Sequence, residues 1–254
     1  LHVRSRRQRQ MCIRDRKNRI AERAFVAEGN KLVADMLPFF ACKLLVAKPC
    51  WMATQGDISA EELLVAEEED IRKASFLKNP QDVLAVFAMP DWQIETTSPQ
   101  QDLVLALDGI QDPGNLGTII RLADWFGIEH IVCSKDTADV FNPKVVQATM
   151  GALAHVKVCY TDLETYLTAC RRQSIPVYGT FLDGENIYEQ QLSRNGLIVM
   201  GNEGNGISKE IETLINRKLY IPNYPQERET SESLNVAIAT AIVCAEFRRQ
   251  AAWK

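Results

Sequence analysis

From residue 103 onward the chain repeats one pattern, an apolar run followed by a stretch in which apolar and polar positions recur at helical spacing. The runs are LVLAL (103–107), HIVCS (130–134), HVKVC (155–159), PVYGTFL (176–182), GLIVMG (196–201) and KLYIP (218–222). Runs with little alternation suit strands buried on both faces, so the pattern predicts a mostly parallel sheet with helices on both sides. Ligands of such sheets bind at the carboxyl ends of the strands. The last segment, IPNYPQERETSESLNVAIATAIVCAEF (221–247), predicts a helix apolar on nearly all sides. Its Ala237, Ala241 and Ala245 lie four apart, which suits close packing against another surface, a second subunit included.

The N-terminal part reads differently. NRIAERAFVAEGNKLVADMLPFF, from Asn18, sets Phe25, Leu32, Val33, Met36 and Leu37 at roughly helical spacing and breaks at Pro38, which predicts an amphipathic helical region. KLLVA (43–47) and DVLAVFAMP (82–90) predict strands. SAEELLVAEEEDIRKAS (59–75) predicts a helix opened by a Ser-x-x-Glu capping box. Residues 18–90 thus form a small α/β unit. DWQIETTSPQQD (91–102), aperiodic and holding a proline, is the expected linker, and residues 103–254 form the second domain.

Composition narrows the class. With 46% hydrophobic residues over 254 positions the chain can bury a substantial core. It has neither a membrane-length apolar stretch nor an apolar N-terminal segment, so a cytoplasmic protein with no membrane partner is expected. Seven cysteines without a C-x-x-C pair, most of them in apolar runs, are expected to be buried free thiols. Three histidines outside any carboxylate cluster give no reason to expect a metal site. The net charge of −4 is uneven: residues 1–19 hold eight Lys/Arg and one Asp, a net of +7, which leaves −11 for the rest. The basic arm LHVRSRRQRQMCIRDR lacks apolar periodicity and is similar to translated sequencing-adapter sequence. Residues 1–17 are expected to be a non-native or disordered tail and carry no argument for RNA binding. A polyanion would have to be met by a local basic patch.

Three segments at strand ends carry the candidate chemistry. In LDGIQDPGNLGTIIRLADWFG (107–127), Asp112-Pro113-Gly114 reads as a turn, Asn115 as the helix N-cap, and Arg121 as a cation among apolar neighbours. Arg121 either pairs with a carboxylate such as Asp108 or Asp124, or presents its guanidinium to a phosphate or developing oxyanion. GNEGNGIS (201–208) follows a strand as a phosphate loop would, yet Glu203 argues against an anionic guest. The loop lacks the Gly-Lys-Ser/Thr ending and the spaced glycines of nucleotide fingerprints, which leaves little room for a nucleotide-dependent oxidoreductase. It suits a cationic or neutral ligand lying along main chain, unless its glycines serve only a tight turn and Glu203 caps a helix around Ile207–Ile215. Ser233 and Asn235 enter the final helix beside the third loop, either as helix-start residues or as groups that orient a substrate.

Taken in order, NLGTIIRLADWFG, LIVMGNEGNGIS and LYIP followed by SLNVAIATAI resemble the three motifs of the SpoU/TrmH family of RNA ribose 2′-O-methyltransferases over about residues 103–249. Residues RAFVAEGNKLV through NPQDVLAVF are similar to the small α/β substrate-binding domain that precedes many such catalytic domains. The resemblance implies an α/β fold whose mostly parallel catalytic sheet is tied in a deep trefoil knot. It also implies S-adenosylmethionine as cofactor and a homodimer with sites near the subunit interface. Carried over by position, Gly201, Ile221 and Leu234, with Thr180 nearby, would hold the cofactor. Arg121 would act at the ribose, either helping to remove the 2′-OH proton or binding the adjacent phosphate. Asn115 would fix loop and substrate, Glu203 would hold the architecture through Asn115 or Arg121, and Ser233 and Asn235 would complete the site. The link NYPQERETSE (223–232) is longer than the family's and carries Pro225, an extension that could touch RNA or cover the cofactor. The implied substrate is RNA, ribosomal RNA ahead of transfer RNA. A non-catalytic RNA-binding protein of the same fold is the reading from another class. Specificity among nucleotides lies in surface shape that no motif encodes.

Overall fold

The computed structural model describes Ile13 and residues 15–95, 98–225 and 233–252. The basic tail falls mostly outside these residues, as does most of the charged stretch of the 223–232 link. Two units are formed, one from the described residues up to Asp91 together with Asp139–Ala154, the other from Trp92–Ala138 and the chain from His155 onward. Among the described residues no helix is long and apolar enough to cross a membrane.

The first unit holds a four-stranded sheet of β1 (Ala24–Glu28), β2 (Cys42–Ala47), β3 (Leu63–Val65) and β4 (Val83–Ala88), in the order β1-β4-β2-β3. Two sequence expectations are corrected here. The region from Asn18 is not continuously helical: a helix over Arg16–Glu22 closes on Arg23 in the left-handed conformation (φ 45°). AFVAE then runs as β1 with all five residues buried, and a second helix spans Asn30–Met36. The apolar spacing of AFVAE fits a helix as well as a strand, and antiparallel pairing with β4 decides between them. Likewise 59–75 is not one capped helix. Leu63–Val65 adds in parallel to β2, and the helix begins only at Glu68, with no capping side-chain bond from Glu67.

Residues 139–154 complete this unit. Their helix, Pro143–Thr149, packs on β1, and Phe141 stacks obliquely on Phe25 with ring centroids 4.8 Å apart. Arg19, 2% exposed, pairs with Asp139 at 2.6 Å. A buried cation demands such a partner, so the helix over Arg16–Glu22 and the inserted segment are locked together.

The second unit is built on a six-stranded sheet, ordered β10-β8-β9-β5-β6-β7, in which every pair is parallel. Its strands are β5 (Leu103–Asp108), β6 (His130–Ser134), β7 (Lys157–Thr161), β8 (Val177–Asn186), β9 (Gly196–Gly201) and β10 (Arg217–Tyr220). The central strands β5 and β9 are buried at every residue, the physical reason their sequences read as unbroken apolar runs. β8 runs further than its apolar part. β10 pairs with Tyr178 and Gly179 at one end and with Glu185 and Asn186 at the other, and the stretch 180–184 between them bulges out of the ladder. Helices Pro113–Trp125, Leu163–Arg172 and Val236–Ala252 cover the sheet. The final helix packs on the first of these, and its alanines do not form one seam: Ala237 is buried and Ala245 exposed. A spacing of four drifts around a helix of 3.6 residues per turn. Five of the six described cysteines are buried free thiols, and burial pushes Cys42 and Cys170 up to about 11; Cys50, contrary to expectation, is exposed.

Candidate active site

The carboxyl ends of β5 and β9 lie side by side, Asp108 opposite Gly201, and both candidate loops spring from there. After β5 the chain turns at Gly109, whose φ of 72° favours a residue without Cβ. The helix that follows is capped by Asp112, not Asn115 as the sequence suggested: the Asp112 carboxylate accepts from Asn115 N at 2.8 Å, and Pro113 occupies the first turn. The consequence is chemical, because Asn115 keeps its own side chain free.

That amide joins the three motifs. Asn115 Nδ2 donates to Glu203 Oε1 at 3.0 Å, and Asn115 Oδ1 accepts from Asn235 Nδ2 at 2.9 Å. Glu203 also accepts from the backbone N–H groups of Gln111 (3.2 Å) and Asp112 (3.1 Å). Partial burial pushes its carboxyl up, but the donors from Asn115, Gln111 and Asp112 outweigh this and hold it below the ordinary carboxylate range. Glu203 is therefore an anion fixed to the loop of the first motif. It does not cap the next helix, which is a short turn over Lys209–Glu212 preceded by Ser208. Of the two expected links from Glu203, the one through Asn115 is formed.

Asn235 Oδ1 accepts from Ala237 N (3.0 Å) and Ile238 N (3.3 Å), so this residue caps the final helix while its amide nitrogen reaches Asn115. Asn235→Ala is expected to lower the unfolding free energy by about 1 kcal/mol, the usual cost of a lost N-cap. A urea titration reads the change, and an unaltered midpoint would rule out the capping role.

The loop from Gly201 folds back on itself through paired hydrogen bonds between Asn202 and Gly206, both 2.9 Å. Beside it opens a cleft of about 620 Å³ whose walls include Thr180, Gly201, Glu203, Ile221, Ser233 and Leu234. The four residues expected to hold a cofactor thus meet at one cavity, joined by Ser233 and Glu203. Residues 201–206 of the glycine loop form one part of its wall. A Cβ on Gly201 would lie 2.2 Å from Gly206 C and Ile207 N, so the cradle exists only for glycine. The charged side chains of its lining are three carboxylates, Asp183, Glu203 and Glu212, against the one cation of Lys209. A neutral adenosyl group with a cationic sulfonium fits such a lining better than a polyphosphate does.

Arg121 lies outside this cleft. It is exposed and has no ion pair among the described residues. Of the carboxylates considered as its partner, Asp108 accepts from Ser208 N at 2.7 Å and Asp124 faces His155 Nδ1 at 3.0 Å. Thr118 and Trp125 share its exposed helix face. Sequence reasoning missed Asn202, whose Nδ2 donates to Gly109 O at 2.6 Å and whose Oδ1 accepts from Gly204 N and Asn205 N. The Asn-x-Gly spacing, an Asx-turn signature, could have pointed to it.

The sequence model described as the SpoU rRNA Methylase family matches residues 102–245, and that of the MRM3-like substrate binding domain matches residues 8–85. The 23S rRNA (guanosine(2553)-2′-O)-methyltransferase RlmP of Bacillus subtilis is 31% identical over 236 residues, 92% of each chain. Among solved structures, a TrmH-family protein from Porphyromonas gingivalis superposes with a TM-score of 0.88 at 44% identity, over 96% of this chain and 97% of its own. The AdoMet-bound rRNA methyltransferase of Sinorhizobium meliloti superposes with a TM-score of 0.82 at 31% identity, over 96% and 94%. By its three linked motifs, its parallel sheet and these likenesses, the chain belongs to the SpoU rRNA methylase family.

Proposed function

We propose that this chain transfers the methyl group of S-adenosylmethionine to a ribose 2′-hydroxyl of RNA, and that its substrate is ribosomal RNA. The observation that carries the reading is the bonded series Glu203, Asn115, Asn235, which joins all three motifs and reaches the cleft at Glu203. The rRNA activity in the names of its relatives supports the substrate class.

In this reading Thr180, Gly201, Ile221 and Leu234 hold the cofactor, which supplies a methyl carbon already activated by its sulfonium. The chain's own task is to align a ribose oxygen and ease loss of its proton. Arg121 binds the adjacent phosphate or the developing oxyanion; a guanidinium is too weak an acid to serve readily as a base. Asn115, Ser233 and Asn235 orient the nucleotide, and Glu203 keeps their loops in register. The first unit, with the match to a substrate-binding domain, grips the RNA. The catalytic domain is knotted and works as a cytoplasmic homodimer. Exposed Leu234 and Ile238 at the start of the final helix, with Trp125 at 83% exposure, offer apolar surface to a second copy.

Incubation with tritiated S-adenosylmethionine and RNA lacking its modifications tests the reaction. The expected product is label in an alkali-resistant dinucleotide from ribosomal RNA. Label recovered on a base would overturn the ribose chemistry, and label confined to transfer RNA would overturn the substrate class.

A further inference from the structure

The loop of the first motif has a second support that none of the motifs contains. Ser134, the last residue of β6, and Thr137, in the turn beyond it, are 8% and 2% exposed, among the few buried polar side chains of the second unit. Gly109 N–H donates to Ser134 Oγ at 2.8 Å, Ser134 Oγ lies 3.0 Å from Thr137 Oγ1, and Thr137 Oγ1 donates to Leu107 O at 3.3 Å. With the Thr137 proton directed at Leu107, Ser134 donates to Thr137, so the bonds run one way from the amide of residue 109 to the carbonyl of residue 107. A further bond, Ala138 N–H to Ile110 O at 2.8 Å, ties the next residue to the same turn.

These bonds end where the site begins. Gly109 N–H goes to Ser134 and Gly109 O to Asn202, and the amides two and three residues on, Gln111 and Asp112, go to Glu203. Asp112 in turn caps the helix that carries Asn115 and Arg121. We propose that Ser134 and Thr137 are positioning residues for methyl transfer, a buried hydroxyl pair that aims the Gln111 and Asp112 amides at Glu203 and thereby sets Asn115 and Arg121. This rests on the functional reading above. A buried donor left without its acceptor draws water or shifts the backbone to find one, and here the backbone that shifts is the loop holding Glu203.

Three variants of the full chain test it: Thr137→Val, which removes the hydroxyl at constant shape, Thr137→Ser, which restores it, and Ser134→Ala. Thr137→Val and Ser134→Ala are expected to lower kcat by about tenfold, the effect of one unmet buried hydrogen bond, with the dissociation constant for S-adenosylmethionine unchanged. Amide exchange at Gln111 and Asp112 should quicken by a similar factor, and Thr137→Ser should return both readouts to wild type. Wild-type exchange at these amides in Thr137→Val overturns the proposal, as does a Thr137→Ser variant that fails like valine. A lower melting temperature without faster exchange there also overturns it. Amide exchange is read without RNA, so a wild-type chain that transfers no methyl would defeat the functional reading while the hydroxyl pair is still judged.

Discussion

Arg121→Ala is expected to lower methyl transfer by a factor on the order of 10²–10³, the range seen when one preorganised donor to a developing oxyanion is lost, while affinity for S-adenosylmethionine stays near wild type. The split follows from where the side chain stands. The helix from Pro113 to Trp125 carries it on an exposed face, clear of the cleft lined by the residues expected to hold the cofactor. The neighbouring carboxylates are engaged elsewhere, Asp108 with Ser208 N and Asp124 with His155, so the fork is not consumed by an internal ion pair. Its five donors suit two oxygens of a phosphate or an alkoxide beside one, geometry that a lysine cannot reproduce. Arg121→Lys should therefore recover only part of the rate. Single-turnover transfer to RNA and calorimetric titration with S-adenosylmethionine measure the two quantities separately. An equal loss in both would transfer Arg121 from the ribose to the cofactor.

How much of this was legible beforehand depended on whether the deciding contact was local. The parallel sheet was readable because β5 and β9 are buried on both faces and tolerate little but apolar residues. AFVAE is not, since four apolar or small residues and a glutamate fit a helix until β4 pairs with them. LLV (63–65) is hidden for a similar reason: an edge strand of three residues in which only Leu64 is half-buried is too short to show a burial pattern. Asparagine caps well, so the sequence points to Asn115, yet Asp112 with Pro113 after it caps the helix, which leaves the Asn115 amide to link the motifs. The membership of residues 139–154 in the first unit rests on Arg19 with Asp139 and Phe25 with Phe141, partners more than a hundred positions apart. Ser134 and Thr137 were invisible for the same reason, since an isolated hydroxyl becomes informative only when its distant acceptor is known. The residues that the family resemblance implies for the cofactor, by contrast, all line one cleft, Gly201 and Ile221 at the ends of β9 and β10 and Leu234 just before the final helix.

Gly201→Ala is expected to abolish measurable cofactor binding, a loss of at least about 100-fold, and to lower stability by about 1–3 kcal/mol through overpacking. The added methyl would stand 2.2 Å from both Gly206 C and Ile207 N and 2.6 Å from Gly206 O, all backbone atoms that no rotamer change can remove. Those atoms belong to the return arm of the loop, held against Asn202 by two hydrogen bonds, so relief of the clash must open that bridge. Opening it moves Asn202 off Gly109 O and carries Glu203, one residue on, away from Gln111, Asp112 and Asn115. One carbon atom thus disturbs both the wall of the cleft and the tie between the motifs. Gly204→Ala is the matched control: its added carbon meets only Asn202 Oδ1 at 3.6 Å, an ordinary contact, and its backbone conformation is open to alanine. Calorimetry with S-adenosylmethionine and thermal melting of the two variants decide the matter. If Gly201→Ala binds as tightly as Gly204→Ala, the main-chain cradle is not where the cofactor lies.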